Sequence, residues 1–412
     1  MPLKHVKLIG PFKEIVPLSQ NPMKGPLSDD DLEIKKDSAL LIENEKIITL
    51  ADFEKLLKQY PNAEVEKLED PFVCLPGFID VHTHMCWAGT RARDYSLRTG
   101  GMSYLEIAKA GGGILDTMRK TRAASFDTLT ETLAQRCTRQ LREGITTCEV
   151  KSGYGLTVES ELKMLRVINQ VNSSHAIDLV PTCLAAHMPP PEFTNKSSEY
   201  LQLILDELLP QIKKEKLANR VDIFIEESAF TREEAQPFLQ SAQNMGFSLA
   251  IHVDQFTPGS SLLACELGAI SADHLEASTE REMTALAKSN TIAVVLPGCS
   301  LGLGLNFAPA RKLLDFGASV VVSTDWNPGS APMGDLLVQA AILGAAEKLS
   351  AAEIFTGITT RAAAALELPD RGSLAPNKLA DFQAYPCDDF REILYNQGKL
   401  KPEKVWKRGV RV

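Results

Sequence analysis

The chain has 412 residues, 44% of them hydrophobic and 24% charged, the balance of an ordinary folded protein with room for one large barrel and a small module. With 53 acidic against 44 basic side chains its net charge is −9, which speaks against a nucleic-acid or anionic-membrane binder, and the composition excludes a disordered, collagenous or coiled-coil chain. The eight cysteines are scattered with no C-x-x-C pair, so free thiols in a reducing cytoplasm are expected. The first residues carry no apolar targeting run, and the longest apolar stretches have strand length, too short to span a membrane.

In chain order, residues 1–74 hold short strand-like runs at 4–8, 39–42 and 46–50, a polar loop at 19–37 and a short helix at 52–59. After Pro76-Gly77 the rhythm changes. Apolar, β-branched runs at 78–82, 145–150, 179–186, 221–225, 248–253, 269–273, 291–296 and 319–324 now alternate with helix-period segments at 125–142, 160–172, 198–214, 231–245, 260–267, 279–288 and 333–343. Such alternation implies a parallel sheet. Eight units over about 290 residues imply a closed (β/α)8 TIM barrel, with a doubly wound open sheet as the competing α/β architecture. From about Gly372 the tail returns to short strands at 381–385 and 404–412. The expectation is a barrel over 75–371 inserted into a small β-sandwich domain made of 1–74 and 372–412.

Active sites of such barrels lie at the C-terminal ends of the strands. The first run ends in Asp80-Val-His82-Thr-His84, the second in Glu149-Val-Lys151-Ser-Gly-Tyr154, and the third in Ala186-His187. The fifth ends in His252-Val-Asp254-Gln255, the sixth in Asp273-His274 and the eighth in Thr324-Asp325-Trp-Asn327. Five of the seven histidines thus fall on one rim. A single histidine is more often a satisfied core or surface residue, but that reading does not account for five together. His-x-His on a strand throws two imidazoles to the same side. Two imidazoles, a third and a carboxylate suit Zn²⁺ or Fe²⁺. His82, His84, His252 and Asp325 are therefore the expected ligands of one divalent metal, which keeps a place for water and lowers its pKa to about 7. Asp325 can accept that proton and His274 can hydrogen-bond the water; the bland alternative for Asp325 is a helix N-cap.

The stretch Pro76-Gly-Phe-Ile-Asp80-Val-His82-Thr-His84, with His252, His274 and Asp325, resembles the amidohydrolase superfamily of metal-dependent hydrolases. Within it, Ala88-Gly-Thr-Arg91, Ser103-Tyr104-Leu-Glu-Ile-Ala, Glu149-Val-Lys-Ser-Gly-Tyr-Gly-Leu156, Ser271-Ala-Asp-His274 and Thr324-Asp-Trp-Asn-Pro-Gly-Ser330 are similar to the branch that opens the ring of 4-imidazolone-5-propanoate in histidine degradation. The resemblance implies hydrolysis of that small molecule to N-formimino-L-glutamate, one zinc or iron ion, and a homodimer. Carried over by motif, Arg91, Tyr154, His187, Gln255 and Ser330 would contact substrate, and Asn327 and Gly329 a product-like ligand. Arg91 can bind a propionate tail bidentately, with surface ion pairing as the bland alternative. Tyr154 can add a hydroxyl, and His187 can hydrogen-bond the ring carbonyl. Tyr104 is either a substrate contact or core packing.

Two loops depart from the family pattern. Gly259-Ser260 stands where a glycine pair is expected, and Cys299-Ser-Leu-Gly-Leu-Gly-Leu-Asn306 lacks the aromatic residues expected after the seventh strand. Gln255 cannot shuttle a proton as Glu could, which argues against a deaminase. The fourth run ends in Ile225-Glu226-Glu227, with no lysine for a bridging carbamate of the dihydroorotase kind, although either glutamate remains a candidate extra ligand. A non-catalytic scaffold on this barrel is expected to lose metal ligands, and all four stand. Gly111-Gly112-Gly113 follows no strand and does not fit a phosphate loop; it reads as the hinge of a lid.

Overall fold

The computed structural model describes residues 6–103, 106–107 and 110–412. The N-terminal segment supplies β1 (Val6–Ile15), β2 (Lys35–Glu43), β3 (Lys46–Asp52), β4 (Glu64–Lys67) and β5 (Val73–Pro76). Only Gly77 separates β5 from β6 (Phe78–Asp80). Then follow β7 (Ile145–Lys151), β8 (Asp178–Ala186), β9 (Arg220–Ile223), β10 (Ser248–Val253), β11 (Ser271–His274), β12 (Ile292–Val295) and β13 (Val320–Val322). The tail adds β14 (Phe382–Tyr385), β15 (Lys404–Lys407) and β16 (Val410–Arg411).

Strands β6 to β13 pair side by side in sequence order, each neighbour parallel. A seam draws the two edge strands together into a nearly closed barrel. Thr83 bridges Trp326, Asp325 N donates to His82 O at 3.0 Å and His84 N to Trp326 O at 3.0 Å. Below them the Asp80 carboxylate accepts from Thr324 N (3.1 Å), Thr324 Oγ1 (2.6 Å) and Ser323 Oγ. All eight apolar runs coincide with barrel strands, and the open-sheet architecture is set aside.

The helical periods also materialise, as Phe126–Arg142, Val158–Ser174, Arg232–Asn244, Ser261–Leu267, Glu280–Lys288 and Leu336–Glu347. Caps at Ser125, Thr157 and Thr231 start three of them, each side chain accepting from a backbone N–H three residues on. The 198–214 segment is broken into Ser197–Leu203, a π turn at Ile204–Leu208 and Leu209–Glu215; the break lies where Pro210 withdraws a backbone donor. Short helices at Ala92–Thr99, Ile114–Ala123, Pro297–Leu303, Ala310–Asp315, Ala351–Gly357, Thr360–Ala365 and Arg391–Tyr395 have no counterpart in the sequence reading. They are too short, or too rich in alanine, glycine or proline, to show an apolar stripe, and packing makes them.

The chain ends meet in one further sheet, ordered β16-β15-β14-β5-β1-β2-β3, with β4 attached to β1. Its pairing is continuous from end to end, and it curls enough to bring Phe12 of β1 within 6.3 Å of Trp406 of β15. Strand β1 is its branch point, pairing with β4 through residues 7–10 and with β5 through 14–15, with a register shift between Ile9 and Phe12. Its strands share an apolar cluster that includes Phe12, Phe72, Phe382 and Trp406. Phe382 and Trp406 stack at 4.6 Å, with Phe12 edge-on to both. The barrel's wall is packed outside by its helices, whereas Asp80, Glu149, Lys151, Asp222 and Asp273 lie fully buried among its strands. Among the described residues no helix is long and apolar enough to cross a membrane.

Candidate active site

The His-x-His segment continues β6 over the barrel rim and meets His252 near the end of β10. One ring nitrogen from each of His82, His84 and His252 falls within a common 4.8 Å span. Asp325 joins them from the β13 loop, its Oδ1 3.2 Å from His84 Nε2 and 3.7 Å from His82 Nε2. All four are buried. The four groups expected from the sequence therefore converge on one point.

Carboxylates behind the rings set their tautomers. His82 Nδ1 donates to Asp273 Oδ2 at 2.6 Å, and His252 Nδ1 donates to Asp222 Oδ1 at 3.0 Å. Their Nε2 atoms are thereby left as lone-pair donors, buried and without a hydrogen-bond partner. A neutral imidazole backed by a carboxylate is the form in which histidine binds metal, so the residues present fit a divalent ion. Burial pushes the His252 ring down to about 4 despite the opposing pull of Asp222. Burial alone would raise Asp325, but the hydrogen bond and charge of His84 outweigh it and hold the carboxyl below its usual range.

Lys151 stands behind the two carboxylates. Its ammonium lies 2.8 Å from Glu149 and 2.9 Å from Asp222. Burial opposes that charge, yet Asp222, Glu149 and Asp273 more than compensate and raise its pKa. An anionic carbamate on this lysine would face the same carboxylates. Glu226 is equally unsuited as a ligand: it accepts from Phe256 N, Thr257 N and Thr257 Oγ1 at 2.8, 3.2 and 2.7 Å. Glu227 is exposed.

On the substrate side, His187 stacks on His84 at 5.3 Å, and Tyr154 packs against both rings. His187 Nδ1 donates to Gly153 O at 3.0 Å. Burial, then His84 and His252, push this ring down to about 3. Neutral and with Nδ1–H engaged, it presents Nε2 as an acceptor. His274 lies over His252 at 5.2 Å, with Nδ1 3.4 Å from Glu276. Burial works against its charge, but Glu276 prevails and raises its pKa.

Arg91 is held by Asp94, Nε to Oδ2 at 2.8 Å. The same oxygen accepts from Gly113 N at 2.8 Å, so the glycine turn is tied to the arginine. A Cβ on Gly329 would lie 2.5 Å from Arg91 Nη1, and this close approach seats Arg91 against the 327–330 loop. Within that loop Asn327 Oδ1 accepts from Gly329 N and Ser330 N, both at 2.8 Å, while Asn327 Nδ2 donates to Asp325 O at 2.7 Å. The loop thus buttresses Asp325. Tyr104 lies outside the described residues.

The two departing loops have structural reasons. Ser260 Oγ bonds Asp254 N and Asp254 Oδ1, each at 2.9 Å, and secures the turn after His252. Helix Pro297–Leu303 opens on Pro297 and brings Cys299 to Gln255, whose Nε2 donates to Sγ at 3.2 Å. A Cβ on Gly302 would fall 1.6 Å from Ser330 O, so glycine is required where this helix presses on the 327–330 loop. The sequence reading missed Asp222, Asp273, Lys151 and Glu149 as supports of the histidines. The available signal was the placement of charges inside otherwise apolar strand runs.

A sequence model of the amidohydrolase family matches residues 73–412. An imidazolonepropionase of Myxococcus xanthus is 41% identical over 351 residues, covering 85% of this chain and 83% of that protein. One from Thermoanaerobacter pseudethanolicus is 36% identical over 416 residues, covering 98% and 99%. Among solved structures, an adenosine deaminase from Xanthomonas campestris with bound zinc aligns with a TM-score of 0.71 at 16% identity, covering 99% of this chain and 92% of that one, a likeness of fold.

Proposed function

Since the chain belongs to the imidazolonepropionase family of the amidohydrolases, we propose that it hydrolyses 4-imidazolone-5-propanoate to N-formimino-L-glutamate, the ring-opening step of histidine degradation. The observation that carries this reading is identity to imidazolonepropionases along nearly the whole chain, over a barrel whose buried histidines converge. In the reaction, water adds across a ring C–N bond: the carbon takes the hydroxyl oxygen, and the nitrogen takes a proton as the bond breaks.

The donor set supports one divalent ion, zinc or iron, held by His82, His84, His252 and Asp325. When bound, such an ion supplies an activated water and a Lewis acid. Asp325, kept ionised beside His84, takes the water's proton on its carboxylate, whose Oδ2 also accepts from Ser330 Oγ at 3.5 Å. His274, oriented by Glu276, hydrogen-bonds the attacking water and shares in returning the proton to the ring nitrogen. His187 accepts from a substrate N–H through Nε2. Arg91, aimed by Asp94, pairs with the propionate carboxylate; Tyr154 and Ser330 add hydroxyl contacts, Gln255 an amide contact, and Asn327 and Gly329 line the product. We extend the reading to two domains, 1–74 with 372–412 and 75–371, and to a cytoplasmic homodimer acting without nucleic acid or membrane.

The test is loss of ultraviolet absorbance from freshly made 4-imidazolone-5-propanoate on adding metal-loaded protein, beside a chelated control. Rapid, chelator-sensitive loss yielding formiminoglutamate is expected. No turnover by protein that retains a stoichiometric metal overturns the substrate, and turnover indifferent to the chelator overturns the metal.

A further inference from the structure

Lys151 is completely buried, and its ammonium sits at the meeting point of three carboxylates: Glu149 at 2.8 Å, Asp222 at 2.9 Å and Asp273 at 4.0 Å. Each leads to the histidine cluster. Asp222 accepts from His252 Nδ1, and Asp273 accepts from His82 Nδ1. Glu149 Oε2 accepts from Thr83 N at 3.1 Å, the backbone between His82 and His84. The Lys151 backbone N also donates to Thr83 O at 2.9 Å. One side chain therefore lies one carboxylate behind the His82 and His252 rings, and one carboxylate behind the Thr83 backbone that leads to His84, although it touches none of the rings.

We propose that Lys151 is the positioning residue of the metal centre, a clamp that holds the Asp222 and Asp273 carboxylates so that His82 and His252 present Nε2 together. The proposal rests on the metal reading above. The ammonium donates to Glu149, pairs with Asp222 and faces Asp273 at 4.0 Å, so it spans from β7 to β9 and β11. Without it, the two aspartates repel each other across the lumen and shift, carrying the rings they orient; Asp222 keeps its bond from His252 N at 3.2 Å, so Asp273 is the freer of the two. Loss of an outer-shell partner of this kind costs roughly 10–100-fold in metal affinity.

The sign of the effect separates positioning from charge. Deleting a nearby cation strengthens the binding of another cation by electrostatics alone, whereas losing a clamp weakens it. Lys151→Met should therefore lower Zn²⁺ affinity by about 10–100-fold in competition with a fluorescent chelator, and shift the visible d–d bands of the Co²⁺-substituted full-length chain. The double variant Lys151→Met/Glu149→Gln keeps the net charge and covers the case in which the single variant does not fold. Its affinity should fall similarly. Folded variants lacking Lys151 that bind Zn²⁺ as tightly as the wild type, with unchanged cobalt bands, overturn the proposal. A wild-type chain that binds neither ion overturns the metal reading itself.

Discussion

Between β1, β14 and β15 of the small sheet the space is taken by Phe12, Phe382 and Trp406. In the middle of the barrel the equivalent space holds Lys151, Glu149, Asp222 and Asp273. The first filling is stabilising outright, about 1.5–3 kcal/mol for each large apolar side chain withdrawn from water. The second carries desolvation of several kcal/mol per ion, which attraction offsets only when every group is paired. Shape alone needs only the first kind of filling. The second is placed directly under the convergent histidines, and it supports their orientation at a cost in stability.

Changes on the two sides should separate accordingly. The largest effect is expected from His252→Ala, which removes a ligand and not a support. It should release the metal and lower turnover by more than the roughly 10–100-fold that an outer-shell loss costs, read by metal analysis beside kcat/KM; full metal retention would contradict its role. Next is Trp406→Ala in the small sheet, expected to destabilise by about 3–5 kcal/mol with kcat of the folded fraction unchanged. A comparable loss of kcat with an unchanged melting temperature would erase the contrast.

Arg91→Ala should raise KM by about 10–100-fold, the value of one charge-assisted hydrogen bond, with little change in kcat; a fall in kcat at constant KM would assign it to the chemistry instead. The smallest effect per pH unit comes from the buried rings. His187 and His252 titrate near 3 and 4 in the folded chain, against about 6.5 unfolded. Between those values the unfolded chain binds more protons, so stability is present above about pH 6.5 and is lost as pH falls toward 4. In the chelated protein both rings should therefore stay largely neutral at pH 5, read from their imidazole NMR shifts. Shifts of protonated imidazoles at pH 5 would show that these rings are not held neutral.

Much of the barrel is legible in sequence because period two and period 3.6 alternate plainly. The convergence of His82, His84, His252 and Asp325 is legible because all four stand at or just past the ends of apolar runs. The clamp is not legible: Lys151 is on β7 and Asp222 on β9, and only strand order and barrel curvature bring them within 2.9 Å. The bond that orients His187 was hidden for a similar reason, since it reaches Gly153 O across two strand ends. Pro297–Leu303 reads as a loop from its glycines, and it is helical because Gly302 lets it pack against Ser330 O.

The single-residue passage from β5 to β6 at Gly77 also imposes an order in time. As the chain leaves the ribosome, β1 to β5 emerge first, yet β5 receives its partner β14, with Val73 opposite Tyr385, only after the whole barrel has been made. Until then Phe12 and Phe72 lack the cover of Phe382 and Trp406, and the half-built sheet presents an unpaired edge of the kind that invites aggregation. Closure of that edge therefore waits on residues made after the barrel strands.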